Sequence, residues 1–180
     1  MKRALSPHEV MQRLAPGTPI SGEALAEQLG VTRAAVWKQI AALRALGLPI
    51  EARTNVGYSL PWPVELLDAT RIAQLSGEAG PPVQVHWALD STQDELARTL
   101  QAQPDLAVVL AEQQTGGRGR RGHAWRSPPC MGVYLSCLKR FAGGPATLSG
   151  LSIAAGVCAA QALAELGVPD LRLKWPNDLL

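Results

Sequence analysis

At 180 residues and 47% hydrophobic composition the chain can bury one large domain or two small ones, and its net charge of +2 is too small to indicate a nucleic-acid partner by itself. No apolar run approaches the roughly 20 residues of a membrane helix, and Met1-Lys2-Arg3 leads into a polar segment with Pro7 instead of a signal-peptide stretch, so a soluble, cytoplasmic protein with no membrane partner is expected. Cys130, Cys137 and Cys158 are odd in number and lack C-x-x-C spacing, which argues against a disulfide framework or a zinc site and for buried free thiols.

The basic excess is local. Residues 1–62 carry seven Lys and Arg against four Glu, whereas the remainder carries 10 against 11. Within that first stretch Ser21 can cap a short helix over Glu23–Leu29, Gly30 breaks it, and Thr32 can cap a second helix from Arg33 to about Leu46, ended by Gly47. Val36, Ile40 and Leu43 fall on one face of the second helix, while Ala34, Lys38, Ala41 and Ala45 fall on the other, small enough to enter a major groove. Ile50–Thr54 and Gly57–Leu60 read as two strands joined around Asn55-Val56, and Pro61-Trp62-Pro63 closes the module. A small helical packing unit with a solvated face would show the same spacing. The stretch Ser21-Gly22-Glu23 to Thr32-Arg33-Ala34-Ala35-Val36-Trp37-Lys38, followed by Gly57-Tyr58-Ser59-Leu60-Pro61, resembles the winged helix-turn-helix at the front of bacterial biotin protein ligases that also repress the biotin operon. The resemblance implies that residues 1–62 bind operator DNA, with Arg33, Ala34, Trp37 and Lys38 facing it. Trp37 serves equally well as a half-buried packing residue.

Residues 63–82 form a linker with a helical stretch over Leu66–Leu75, broken by Gly80-Pro81-Pro82. Beyond it come a strand at Val83–Trp87, a helix over Gln93–Gln101 capped by Ser91 or Thr92, and strands at Leu106–Ala111 and Val133–Leu138. An Ala-rich helix over Leu148–Leu166, ended by Gly167, and a last strand at Leu171–Lys174 complete an α/β or α+β pattern.

Between the middle strands lies Gly116-Gly117-Arg118-Gly119-Arg120-Arg121-Gly122, which interleaves backbone freedom with three guanidinium groups suited to phosphate or carboxylate. It satisfies G-x-G-x-x-G, but His123-Ala124-Trp125-Arg126-Ser127-Pro128-Pro129 follows where a dinucleotide fold starts a helix. A P-loop fails for want of Gly-Lys-Ser/Thr, and a disordered RG segment would be a longer repeat. A second cluster, Lys174-Trp175-Pro176-Asn177-Asp178, offers a cation, an aromatic face, an amide and a carboxylate.

Asp90-Ser91-Thr92-Gln93, Glu112–Gln114, the Gly-Arg string, Trp125, Ser127-Pro128 and the Lys174–Asp178 cluster stand in the order and spacing of biotin protein ligases, and the resemblance covers nearly the whole chain. It implies an α+β chain: a winged helix-turn-helix, then part of a class II synthetase-like catalytic domain, a mixed sheet with helices, over 83–180. The implied activity makes biotinyl-5'-AMP and pyrophosphate from biotin and ATP with Mg2+, then biotinylates a lysine of a biotin carboxyl carrier protein. By the family pattern Ser91, Thr92, Gln93, Gln114, Gly117, Arg118, Gly119 and Arg120 hold biotin, and Arg121, Trp125, Asn177 and Asp178 hold ATP or the adenylate. Arg118, Arg120 and Lys174 are the catalytic cations, offsetting repulsion as a carboxylate meets an α-phosphate. Asp178 is the metal ligand. Trp125 packs on adenine or belongs to a core, and Asp178 binds metal or caps a turn. A ligand-promoted homodimer is also implied.

Two features depart from the family. His123 stands where a further cation is common. The chain ends two residues after Asp178, where family domains continue with more sheet, a ligand-binding lysine and a small β-barrel, so a truncated domain with little ligase activity and exposed strand edges is expected. A DNA-binding biotin sensor without catalysis is the competing function. Lipoate ligases share the broader fold, but the Gly-Arg string is more typical of biotin enzymes.

Overall fold

The computed structural model of the chain describes residues 5–176 and 178–180, with only the backbone for Arg120, Pro145 and Thr147. It comprises two compact units, 1–139 and 140–180.

The first unit opens on three helices. Helix α1, Pro7–Leu14, starts with a capping box: Glu9 N–H donates to the Ser6 hydroxyl at 3.2 Å and Ser6 N–H donates to the Glu9 carboxylate at 3.1 Å. Pro7 supplies a preset φ where no amide bond is needed. This helix was not foreseen in the sequence, although Ser6-x-x-Glu9 ahead of Val10, Met11 and Leu14 is its signature. Helices α2, Gly22–Leu29, and α3, Arg33–Ala45, begin at the expected caps, Ser21 and Thr32, and Gly30 ends α2 in the left-handed region. Val36, Ile40 and Leu43 meet Val10, Met11, Leu14 and Leu25 in a dry core, which Leu48, Ile50 and Leu60 complete.

Strands β1, Glu51–Arg53, and β2, Gly57–Ser59, pair antiparallel as the wing, with Asn55 at positive φ in the turn. Tyr58 exchanges both backbone hydrogen bonds with Ile20, at 2.9 and 2.8 Å, which brings Gly57 against the Ile20 carbonyl. At φ +120° and with no room for a β-carbon, position 57 requires glycine.

The linker helix α4 runs over Ala69–Ser76, three residues later than the expected start. Leu67 N–H is taken by the buried Glu112 carboxylate at 2.5 Å, and the helix instead begins at Asp68, whose side chain accepts from Arg71 N–H.

Strands β3, Val83–Leu89, β4, Leu106–Gln114, and β5, Tyr134–Lys139, form a mixed sheet ordered β3-β4-β5: β4 runs parallel to β3 and antiparallel to β5. The run Ala107 to Ala111 occupies the central strand, and Ala107, Val109, Leu110 and Ala111 are buried. Both β3 and β4 exceed their expected lengths, because pairing continues past the apolar run to Leu89↔Gln114. Helix α5, Thr92–Thr99, crosses between them and buries Leu96 against Ala107 and Val109. The three-helix core and the sheet meet inside this unit: the His8 and Trp87 rings stack at 5.3 Å, and Cys130 packs against the helical core. Burial, with Glu112 beside it, pushes the Cys130 thiol up to about 12, which disfavours the thiolate at neutral pH. Cys137 and Cys158 are exposed, so the expectation of buried thiols fails for these two.

The second unit contains helix α6, Leu151–Glu165, shorter than expected because Pro145–Leu148 form a separate 3-10 turn. A hairpin of β6, Leu173–Lys174, and β7, Asp178–Leu179, follows. Among the described residues no helix is long and apolar enough to cross a membrane.

Leu43 is fully buried. Leu43→Ala is expected to cost about 2–5 kcal/mol, read as a lower urea midpoint; an unchanged midpoint would mean that the helical core is not packed as described.

Candidate functional site

The parallel pair β3–β4 ends at one level, and the chain leaves both strands on the same side. From β3 it turns through Asp90 into the Ser91 cap of α5; from β4 it enters the Gly-Arg string. Thr115 N–H donates to the Leu89 carbonyl and Gly116 N–H to the Asp90 carbonyl, both at 2.8 Å, tying the two exits together.

Beyond this root the string is a narrow hairpin. Trp125 N–H donates to Gly117 O at 2.8 Å, Gly119 N–H donates to His123 O at 2.7 Å, and Arg118 bridges Ala124. The tip, Arg120–Gly122, is kinked, with Arg121 and Gly122 at positive φ, so no helix grows from these glycines. A β-carbon on Gly117 would sit 2.9 Å from the Trp125 carbonyl oxygen and 3.0 Å from Ser127 Oγ. Glycine there is a packing requirement, because the returning strand needs the space.

At the root Thr92 donates to Gln114 Oε1 through its amide at 2.9 Å and its hydroxyl at 3.2 Å. That hydroxyl also lies 2.8 Å from Ser136 Oγ, and Gln114 Nε2 donates to Ser127 Oγ at 3.3 Å. Ser91 and Thr92 are buried, at 4% and 3% exposure, and the Ser91 hydroxyl accepts from Asp94 N–H. The structure thus brings Thr92 and Gln114 into one network with Ser127, named in the sequence only as part of the Ser127-Pro128 motif, and with Ser136, which was not singled out and enters through strand pairing. Gln93 is exposed and faces Leu96, Leu100 and Leu138 along a separate cleft.

Gln114, Gly117, Arg118, Trp125, Arg126 and Ser127 line a cleft of about 640 Å3. Trp125 is 61% exposed, so it is no core residue and its ring is available to a ligand. Arg118 makes a paired contact with Asp94, 2.8 Å from one terminal nitrogen and 2.5 Å from the other. Arg98 does the same to Asp90 at 2.9 Å and also binds Glu95. Hydrogen bonding to Arg98, then to Ser91 N–H, holds the Asp90 carboxyl at about 2, and Arg118 lowers Asp94. Asp90 was named in the sequence only as the first residue of its motif, and Asp94 was not singled out, since its separation of 24 positions from Arg118 carries no local pairing signal.

In the second unit Lys174 Nζ lies 3.9 Å from the Asp178 carboxylate, and the Trp175 ring is exposed. Asp178 sits in the two-residue strand β7. Asn177 and the Arg120 side chain lie outside the described residues. Among the described residues no cluster of three or more His, Cys, Asp or Glu side chains could hold a metal ion. A lone carboxylate that shares Mg2+ with substrate phosphates is still an ordinary donor set, so Asp178 fits that use.

A second concave surface belongs to the winged helix. Arg33, Ala34 and Trp37 of α3 face Arg53, Asn55 and Val56 of the wing across a groove of about 690 Å3. Trp37 is 64% exposed, which removes the packing alternative, and Lys38 is exposed on the same helix.

Residues 8–59 match the family model described as an HTH domain, and residues 85–180 match the Biotin/lipoate A/B protein ligase family. The bifunctional ligase/repressor BirA of Salmonella typhimurium is 42% identical over 99% of this chain and 55% of its own length, and that of Escherichia coli 41% identical over the same shares. The chain therefore spans about half the length of the curated relatives it matches. The biotin–[acetyl-CoA-carboxylase] ligase of Mycobacterium tuberculosis is 41% identical over 48% of this chain and 35% of its own. Among solved structures, biotin protein ligase of Leishmania major in complex with biotinyl-5-AMP gives a TM-score of 0.47 at 25% identity, covering 56% of this chain and 47% of that one.

Because the folded Asp90 carboxyl is depressed to about 2, its pairing with Arg98 is intact above the ordinary value of 3.8 and is lost only as pH falls through about 2. Arg98→Ala is expected to return the Asp90 titration, followed by carboxyl-carbon NMR, toward 3.8; an unmoved titration would remove Arg98 as the cause.

Proposed function

Because the chain belongs to the biotin/lipoate A/B protein ligase family, with a helix-turn-helix domain ahead of its ligase domain, we propose that its protein is a biotin ligase and a biotin-responsive repressor. Residues 1–62 are its DNA-binding module, 63–82 its linker and 83–180 the contributing part of its catalytic domain. The carrying observation is the Gly117–Trp125 hairpin standing beside the Thr92–Gln114 network, a cation-bearing wall next to a polar, largely buried one.

In the first step a biotin carboxylate oxygen attacks the α-phosphorus of ATP, and the bond to pyrophosphate breaks. Two anions approach, and Arg118, Arg120 and Lys174 offset their repulsion and follow charge onto the leaving group. Ser91, Thr92 and Gln114 hold the uncharged end of biotin by hydrogen bonds, Gln93 being turned to a separate cleft, and Trp125 with Arg121 and Asn177 holds the adenylate. Asp178 would carry Mg2+, whose chemistry is neutralisation of phosphate charge. In the second step a lysine amine of a biotin carboxyl carrier protein attacks the mixed anhydride at the acyl carbon, its proton is lost to solvent, and AMP leaves. The adenylate-bound form pairs into a homodimer that places two α3 helices on operator DNA.

Biotin-dependent ATP–pyrophosphate exchange by the protein tests the catalytic half. Gln114→Ala should weaken biotin binding, and Trp125→Ala biotinyl-5'-AMP binding, each roughly tenfold. Adenylate binding without any pyrophosphate release would instead indicate a sensor that has lost catalysis.

For the DNA-binding half, Lys38→Ala should weaken binding to duplexes selected from a random library and lower the slope of log K against log salt by about one. An unaltered slope would place Lys38 outside the phosphate contacts.

A further inference from the structure

Trp37 is placed above only among the residues that face DNA, and its chemistry says more than that. On α3 the side chains of Val36, Ile40 and Leu43 are buried in the helical core, whereas Arg33, Ala34, Trp37, Lys38 and Ala41 are exposed. Ala34, Trp37, Lys38 and Ala41 recur at the i, i+3, i+4, i+7 spacing of one helix face. That face is small and apolar apart from one cation and one indole. Trp37 is the fifth residue of the helix, in the N-terminal part from which recognition helices reach base edges, and it lines the groove opposite Arg53, Asn55 and Val56 of the wing. A large indole left in water beside alanines marks a contact surface. The charge around it says with what: Arg33 and Arg53 line the same groove with Glu23, Lys38 follows on the helix, and residues 1–62 carry seven Lys and Arg against four Glu.

The major groove narrows what that indole can meet. Its floor carries hydrogen-bond donors and acceptors on every base pair and a single kind of apolar group, the C5-methyl of thymine. An indole laid over donors and acceptors strips their water and returns at most one N–H bond, which costs free energy. Laid over a methyl, it takes apolar surface out of water on both sides. The phosphates draw the guanidinium and ammonium groups instead. We propose that Trp37 is a specificity-determining residue of the winged helix, reading the C5-methyl group of thymine in the major groove. The inference rests on the reading of residues 1–62 as a DNA-binding module and adds the base that the module prefers under the first two turns of α3. Ala34, one turn earlier on the same face, is short enough to let the indole reach the groove floor.

The test takes duplexes that the protein, with biotinyl-5'-AMP supplied, retains from a random library, and replaces their thymines one at a time by deoxyuridine. This removes the methyl and leaves every base-pair hydrogen bond. Wild-type affinity is expected to fall about three- to fivefold at one thymine or more. Trp37→Ala should weaken binding to the thymine duplex by at least that factor, and deoxyuridine at the same positions should then cost nothing further, the signature of a coupled pair. Trp37→Phe, which keeps an apolar ring and lacks the N–H, should keep the methyl effect. The slope of log K against log salt should hold its wild-type value in Trp37→Ala, since no phosphate contact is lost. Methyl effects of equal size in wild type and Trp37→Ala would overturn the proposal. So would affinity indifferent to every thymine methyl, the result expected of an indole packed on deoxyribose, or loss of the effect in Trp37→Phe, which would make the contact a hydrogen bond from the indole N–H. If the protein retains no duplex at all, the DNA-binding reading itself fails and this inference falls with it.

Discussion

The parallel pairing of β3 with β4 is the constraint from which the site follows. Parallel neighbours end on the same side, so their two outgoing segments open a crevice at the carboxyl ends of the strands. Here the register Leu89↔Gln114 sets that edge. One lip is the first turn of α5, with Ser91, Thr92 and Asp94; the other is Gln114 and the glycine–arginine hairpin. A shift of the register by one residue would turn Gln114 to the opposite face of the sheet and remove the partner of Thr92. The ladder of backbone bonds thus determines which polar side chains meet.

Those side chains are buried enough that each must be satisfied. Thr92, Gln114, Ser127 and Ser136 satisfy one another, drawn from α5, β4, the returning strand and β5. The cations follow another rule. Arg98 and Arg118 lie at the surface, and each is matched by a carboxylate of the β3–α5 corner, Asp90 or Asp94. Exposed pairs of this kind add little to stability, so their consequence is geometric: they set the direction in which a flexible side chain points.

Much of this was legible in the sequence wherever local chemistry decides structure. Ser21 and Thr32 announced their helices, Gly30 its break, Asn55-Val56 the wing, and the Gly-Arg string was rightly denied a following helix. Legibility failed where distant contacts decide. Helix α4 starts late because Leu67 is claimed by Glu112, 45 residues away. Strands β3 and β4 outrun their apolar residues because a neighbour's ladder carries them on. Asp94 was not singled out, for its partner lies in another element. The first helix was a different failure, since its capping box was present and local. Trp37 and Trp125 were ambiguous on sequence because an indole serves a core and a ligand equally well, and only their exposure separates the two uses.

The glycine at position 117 also limits how this site can diversify. Its missing β-carbon is filled by the Trp125 carbonyl and Ser127 Oγ, so any side chain there would move the return strand and, with it, Ser127's bond to Gln114. The backbone of the hairpin is therefore held to one shape at this position, and a change in ligand contact has to come from what projects from it. Substitution is open at Trp125 and Arg126 on the rim and nearly closed at Gly117, so ligand contact and hairpin shape are set by separate positions of one ten-residue segment.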